Sequence, residues 1–185
     1  MLVQHLKKAA VVALAVPALT MTAVHPAATA TNQVTWTDHA TDGCMYWWFG
    51  PDGNFSVNTK IPSWNSGYTC GEPDDRKTWT ESQSGLENSD GAWTISPGTD
   101  TRFCLASWYA DANGVGSVYI EPCSSPRNYY QQWYEVKDGD RWRLVNRQTG
   151  LCLDSNSRAE GSGAMDNKGA VYTMQCNGGG NQRWY

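Results

Sequence analysis

Beyond about residue 31, apolar and polar positions alternate with a period of two in short runs, and helical periodicity is absent. In Arg141-Trp142-Arg143-Leu144 the tryptophan and leucine face one side while the arginines face the other, and Val171-Tyr172-Thr173-Met174 alternates in the same way. The segments between such runs are turn-forming: Gly50-Pro51-Asp52-Gly53-Asn54, Asp138-Gly139-Asp140 and Asn177-Gly178-Gly179-Gly180. The pattern predicts an all-β chain of many short strands joined by tight loops.

The runs recur in register. An apolar-alternating strand with a tryptophan appears as Val34-Thr35-Trp36, as Ala92-Trp93-Thr94-Ile95 and as Arg141-Trp142-Arg143-Leu144. Each tryptophan precedes by 8 to 11 residues a cysteine with an apolar neighbour: Cys44-Met45, Cys104-Leu105 and Cys152-Leu153. A second cysteine follows in each copy (Cys70, Cys123, Cys176), and a closing tryptophan stands 8 to 10 residues behind it (Trp79, Trp133, Trp184). Lys77, Gln131 and Gln182 lie two residues before those tryptophans. Four anchors in one order, three times over, define repeats at about 34–80, 81–134 and 135–185. None has enough apolar surface to fold alone, so the three must share a core.

The first thirty residues have the layout of a secretory signal: Lys7 and Lys8, then an apolar stretch from Ala9 to Leu19, then Ala28-Thr29-Ala30 as a small-residue cleavage site. The apolar stretch has eleven residues and contains Pro17, short of the roughly 20 that span a bilayer. The expectation is a signal peptide at 1–30, a secreted domain at 31–185 and an extracellular location. Loss of the two lysines takes the formal charge from −4 to about −6, a balance that repels nucleic-acid phosphates. All six cysteines follow the signal, so three disulfides are expected in an oxidising compartment. Six cysteines allow fifteen pairings. Only Cys44–Cys70, Cys104–Cys123 and Cys152–Cys176 treats the repeats alike. A zinc site is disfavoured because no CxxC occurs and His39 alone survives cleavage. No metal or other cofactor is expected.

Gln131-Gln132-Trp133 and Gln182-Arg183-Trp184, with Gly150-Leu151-Cys152-Leu153-Asp154 upstream, resemble the QxW repeats of ricin-type lectin domains, also called family 13 carbohydrate-binding modules. The resemblance covers about 34–185 and implies a β-trefoil of twelve short strands with pseudo-threefold symmetry, where composition alone leaves sandwich, barrel and trefoil open. It also implies one sugar site per repeat. An aspartate after the C-apolar pair accepts from two hydroxyls, an aromatic two residues before the second cysteine stacks on the ring, and Asn-Gln in the closing motif adds polar contacts. Carboxylate and amide groups match vicinal hydroxyls in direction, and an aromatic face packs the C–H side of a pyranose.

By this resemblance the sugar-binding residues are those of the third repeat: Asp154, Asn181 and Gln182. Met174 stands at the aromatic position, and Tyr172, on the same side of the strand, is the candidate substitute. The second repeat has Ala106 and Glu121 at the two key positions and reads as a lost site. The first has Tyr46 for the aspartate, Tyr68 at the aromatic position, and Arg76-Lys77 for Asn-Gln, so a family-type site is not expected there. It is nonetheless rich in aromatics, and Trp47, Trp48, Trp64 and Tyr68 are candidates for an exposed stacking surface.

A catalytic role is not expected. His39 near the start of the mature chain is poorly placed as a base, the cysteines are committed to bridges, and Glu81, Glu87, Glu121, Glu135 and Glu160 form no recognisable catalytic motif. P-loop, dinucleotide-binding and EF-hand patterns are absent. The expected partner is a glycan or polysaccharide with galactose- or xylose-type sugars by family resemblance, bound by a monomer without nucleic acid or membrane. The alternative is a trefoil scaffold that has lost sugar binding and engages a protein partner, as an inhibitor does.

Overall fold

The structure is a computed structural model and describes residues 31–49, 53, 55–60, 75–88, 90–124, 126–155 and 171–185. Among these residues the strands are β1 (Thr31–Val34), β2 (Cys44–Phe49), β3 (Phe55–Lys60), β4 (Trp79–Ser82), β5 (Ala92–Pro97), β6 (Phe103–Ala110), β7 (Val115–Pro122), β8 (Trp133–Asp138), β9 (Arg141–Asn146), β10 (Cys152–Ser155) and β11 (Val171–Met174). Every pairing is antiparallel. Nine strands run in the order β1-β4-β5-β8-β9-β10-β11-β7-β6, and β2 with β3 forms a separate hairpin. Three one-turn 3-10 segments, Asp75–Lys77, Tyr129–Gln131 and Gly180–Gln182, each end two residues before a closing tryptophan.

The C-terminus closes the ladder. Trp142 and Trp184 exchange backbone hydrogen bonds of 2.9 and 2.8 Å, and Thr37 and Tyr185 exchange bonds of 2.8 and 3.0 Å. The last residues thus tie β9 to the N-terminal segment and satisfy backbone groups that would otherwise form an open edge. The strand expected at Val34–Trp36 ends at Val34. Trp36 lies in the crossing segment, where its carbonyl accepts from the Met45 N–H at 2.7 Å.

The closing tryptophans form the centre of the core. Trp79, Trp133 and Trp184 are fully buried and pack with Met45, Ile95, Leu105, Leu144 and Leu153. Each indole N–H donates to the carbonyl of the apolar residue after a repeat's first cysteine: Met45 at 3.0 Å, Leu105 at 2.9 Å and Leu153 at 3.3 Å. A buried indole must find an acceptor, so the residue that fills the core also fixes which hairpin it packs under.

The glutamines of the motif hold the second cysteines. Gln131 accepts from the Ser124 N–H and donates to the Pro122 carbonyl, clasping the backbone on both sides of Cys123. Gln182 makes the same pair of bonds to Asn177 and Gln175 around Cys176. Disulfides join Cys104 to Cys123 and Cys152 to Cys176, with Cα atoms 5.0 Å apart in each. Cys44 is also disulfide-bonded; Cys70, its expected partner, lies outside the described residues.

Two glutamates occupy equivalent places below the tryptophans, Glu81 two residues past Trp79 and Glu135 two past Trp133. The buried Glu81 accepts the Trp36 indole N–H at 3.0 Å. Burial foremost, and then the charge and hydrogen bond of Glu135, push the Glu81 carboxyl up to about 8. Burial also pushes the Glu135 carboxyl up. Glu81 thus holds its proton more tightly in the folded protein than in the unfolded chain.

Burial departs from strict alternation at Val171–Met174, where Val171, Tyr172 and Thr173 are all buried. The reason is that Val171 joins the core and Thr173 meets Ser107 on one face, while on the other Tyr172 turns onto the Asp154 carboxyl. Thr173 meets Ser107 at 2.8 Å, and Gly116 leaves room for it: a side chain there would collide with Thr173 and with the Trp108 carbonyl.

Candidate functional site

The third repeat gathers the residues expected to bind sugar. Asp154 on β10 lies directly opposite Tyr172 on β11, and the 3-10 turn Gly180–Gln182 brings Asn181 and Gln182 beside them. The Asp154 carboxylate is 3% exposed and accepts hydrogen bonds from the Gln182 amide and the Tyr172 hydroxyl. Burial raises its pKa above the usual aspartate value, the two side-chain bonds oppose that rise, and the nearby charge of Asp38 adds to it. Asp38 is itself fully buried, accepting from Thr41 and, at 2.8 Å, from the Ser155 hydroxyl. The segment around Asp38 therefore backs the third-repeat site.

Tyr172 is 6% exposed, turned onto the carboxylate rather than outward as a stacking plate. Met174 is half-buried, with its sulfur 3.8 Å from the Asn177 amide. Gln182 is fully buried and tied to the backbone around Cys176. Asn181 is half-buried, and its Oδ1, shielded from solvent, has no hydrogen-bond partner among the described residues. The cluster thus combines one carboxylate oriented by two donors with an amide that still has acceptor capacity. Among the described residues no three His, Cys, Asp or Glu side chains converge in a way that could hold a metal ion.

In the first repeat the candidate aromatics divide. Trp47 is half-buried against the core, donates its indole N–H to the Thr78 carbonyl at 3.1 Å and lies over Gly98, whose backbone φ of +55° favours glycine. Trp48 is half-buried and stacks with Tyr46 at a centroid distance of 5.9 Å, and the Arg76 guanidinium lies 4.9 Å from the Tyr46 ring centre. The solvent-facing member is Phe49, at 59%. Trp64 and Tyr68 lie outside the described residues.

In the second repeat Ala106 is buried, and the Glu121 carboxylate accepts from the Gln131 amide at 2.7 Å. Sequence reasoning missed what stands there instead. Trp108 and Tyr109, each 51% exposed, cluster with Tyr130. The available signal was an offset: Trp108-Tyr109 stand four and five residues past Cys104, as Trp48-Phe49 do past Cys44.

Compared with known proteins, residues 68–184 match the model of the ricin-type beta-trefoil lectin domain. No curated protein matches the chain. Among solved structures, the designed 3-fold symmetric protein ThreeFoil superposes with a TM-score of 0.59 at 19% identity, over 82% of this chain and 95% of its own. SeviL, solved bound to the asialo-GM1 saccharide, gives 0.54 at 14% identity over 84% of this chain and 95% of its own. The hemolytic lectin CEL-III gives 0.53 at 23% identity over 82% of this chain, which corresponds to 29% of CEL-III. At these identities the likeness establishes the β-trefoil fold. The family match spans well over half the chain, and with the buried QxW tryptophans it places this protein in the ricin-type β-trefoil lectin domain family.

Proposed function

We propose that this protein is a secreted, non-catalytic lectin-like module that binds a glycan through its third repeat. The observation that carries the reading is the Asp154 carboxylate, held by Gln182 and Tyr172 beside an amide oxygen of Asn181 that has no partner among the described residues. A sugar hydroxyl is the kind of donor such an oxygen takes. Met174 covers the apolar side of the ring, and the sugar is a neutral galactose- or xylose-type unit, since a carboxylate at the centre of the site repels an anionic one. Residues 1–30 act as the secretory signal, and residues 31–185 form the mature domain.

The test is binding of the refolded mature domain to a glycan array, repeated with Asp154→Asn. The amide keeps the shape and removes the charge. Losing a charge-assisted hydrogen bond of about 1.5–3 kcal/mol weakens binding roughly 10- to 150-fold, with the thermal midpoint within a few degrees of the parent. Parent-like glycan affinity in the variant would refute a third-repeat site, and silence of the parent across plant, fungal and bacterial glycans would refute the lectin reading.

A further inference from the structure

The three repeats place different chemistry at equivalent positions. Where the third has Asp154 two residues after its first cysteine, the second has Ala106; where the third has Asn181 three residues before its closing tryptophan, the second has Tyr130. Trp108 stands two residues beyond the buried Ala106 on β6. Its indole stacks on the Tyr130 ring with centroids 4.4 Å apart and planes 26° apart. Tyr109 meets both rings edge-on, at 5.9 Å from Trp108 and 5.4 Å from Tyr130. Its hydroxyl accepts from the Gln148 amide at 3.1 Å and hydrogen-bonds the Tyr130 hydroxyl. One face of Trp108 is thus fixed against Tyr130 while half of the residue's surface is open to solvent.

We propose that Trp108, Tyr109 and Tyr130 form a second glycan-binding site, which takes a neutral pyranose unit within a polysaccharide chain by stacking; the inference rests on the lectin reading above. An indole held on one side by another ring is a rigid apolar plate the size of a sugar ring, and ordering it for a ligand takes little entropy. The Tyr109 and Tyr130 hydroxyls and the Gln148 amide border the plate with donors and acceptors that sugar hydroxyls can meet. An apolar protein or lipid surface has no use for that polar rim. Charge selects among glycans: Glu121 lies on the same face of the β6–β7 hairpin as Ala106 and Tyr119. An acidic polysaccharide is therefore disfavoured. In the first repeat Trp48 stacks instead on Tyr46, the residue at the place of Ala106, with Arg76 over that ring and Phe49 exposed at the position of Tyr109.

Calorimetric titration separates this site from the third-repeat one. The probes are the soluble hexasaccharides of β-linked xylose, galactose and glucose, their monosaccharides, and polygalacturonate as the acidic control. The expected result is that Trp108→Ala lowers hexasaccharide affinity about tenfold or more, that Trp108→Phe largely preserves it, and that the thermal midpoint is unmoved. Equal hexasaccharide affinity in parent and Trp108→Ala, with loss in Asp154→Asn, overturns this site and leaves the lectin reading standing. Loss in Trp108→Ala with none in Asp154→Asn supports this site and overturns the third-repeat one. Tighter binding of polygalacturonate than of every neutral hexasaccharide overturns the neutral-glycan assignment, and a parent that binds none of the probes overturns both sites.

Discussion

Replacing Glu81 by glutamine should make the protein more stable at neutral and mildly alkaline pH, because it removes an ionisable carboxyl buried beside another. The reasoning starts from the buried pair. Glu81 is 2% exposed and accepts the Trp36 indole N–H at 3.0 Å, and the Glu135 carboxyl faces it. The Glu81 pKa rises from 4.5 to about 8 in the folded state, through burial first and Glu135 second. Between those two values the folded protein holds a proton that the unfolded chain has released. The free energy of unfolding then falls as pH rises, by about 1.4 kcal/mol per unit. The stabilisation is complete below pH 4.5 and is lost by about pH 8, of order 4–5 kcal/mol across the window.

Glutamine has the shape of the protonated acid and never ionises. Its oxygen keeps the Trp36 bond, and its amide N–H can donate to Glu135. The assay is urea unfolding followed by tryptophan fluorescence from pH 4 to 9, for the parent and Glu81→Gln. The parent's stability should decline through the window, and the difference between the two proteins should grow with pH. Asp38 and Asp154, also raised by burial, contribute a decline of the same sign to both proteins and cancel in the difference. Glu87, Asp100, Asp111 and Asp138, lowered by arginine or backbone partners, act at the acid end and also cancel. A difference that stays flat with pH, or shrinks, would falsify the account of Glu81 as an acid kept protonated by burial.

Trp133→Phe leaves the Leu105 carbonyl without its 2.9 Å donor and opens a cavity beside a fully buried ring. It should lose about 2–4 kcal/mol in urea unfolding, and a loss below about 1 kcal/mol would show that the indole bond is not a determinant of the core. Replacing both Cys152 and Cys176 by serine releases a bridge of sequence separation 24. About 3 kcal/mol of stability should go with it, read as a lower urea midpoint; an unchanged midpoint would show that the Gln182 clasp alone holds this hairpin.

The fold was legible because the residues that build it are repeated and chemically demanding. A buried tryptophan needs both a cavity and an acceptor, so Trp79, Trp133 and Trp184 each follow an apolar residue behind a first cysteine, and the sequence displays that order three times. The glutamines were readable for the same reason, since Gln131 and Gln182 serve backbone groups at a fixed distance from the second cysteines. Strand boundaries were less legible. The segment at Val34–Trp36 looks like the other tryptophan strands, yet Trp36 turns to meet Glu81 and Met45, partners more than eight residues away that no local pattern encodes. Val171–Met174 alternates in sequence and not in burial, because Tyr172 on the second face turns onto the buried Asp154 carboxyl.

The sites divide along the same line. Asp154, Asn181 and Gln182 could be named in advance because each sits at a fixed offset from a cysteine or tryptophan, and the structure brings them together. The inward turn of Tyr172 could not, because whether a tyrosine serves as a plate or as a donor depends on what its hydroxyl finds, and here it finds a buried carboxylate. The Trp108 cluster was hidden for a converse reason. Matching the second repeat to a polar site reveals losses, Ala106 for the aspartate and Glu121 for the aromatic, and passes over Tyr130 at the asparagine position. In three dimensions the Tyr130 ring supplies a surface for Trp108 to stack on. Substitutions that look like decay one at a time can be the replacement of hydrogen-bond recognition by stacking, and that exchange is visible only where the hairpin and the 3-10 turn meet.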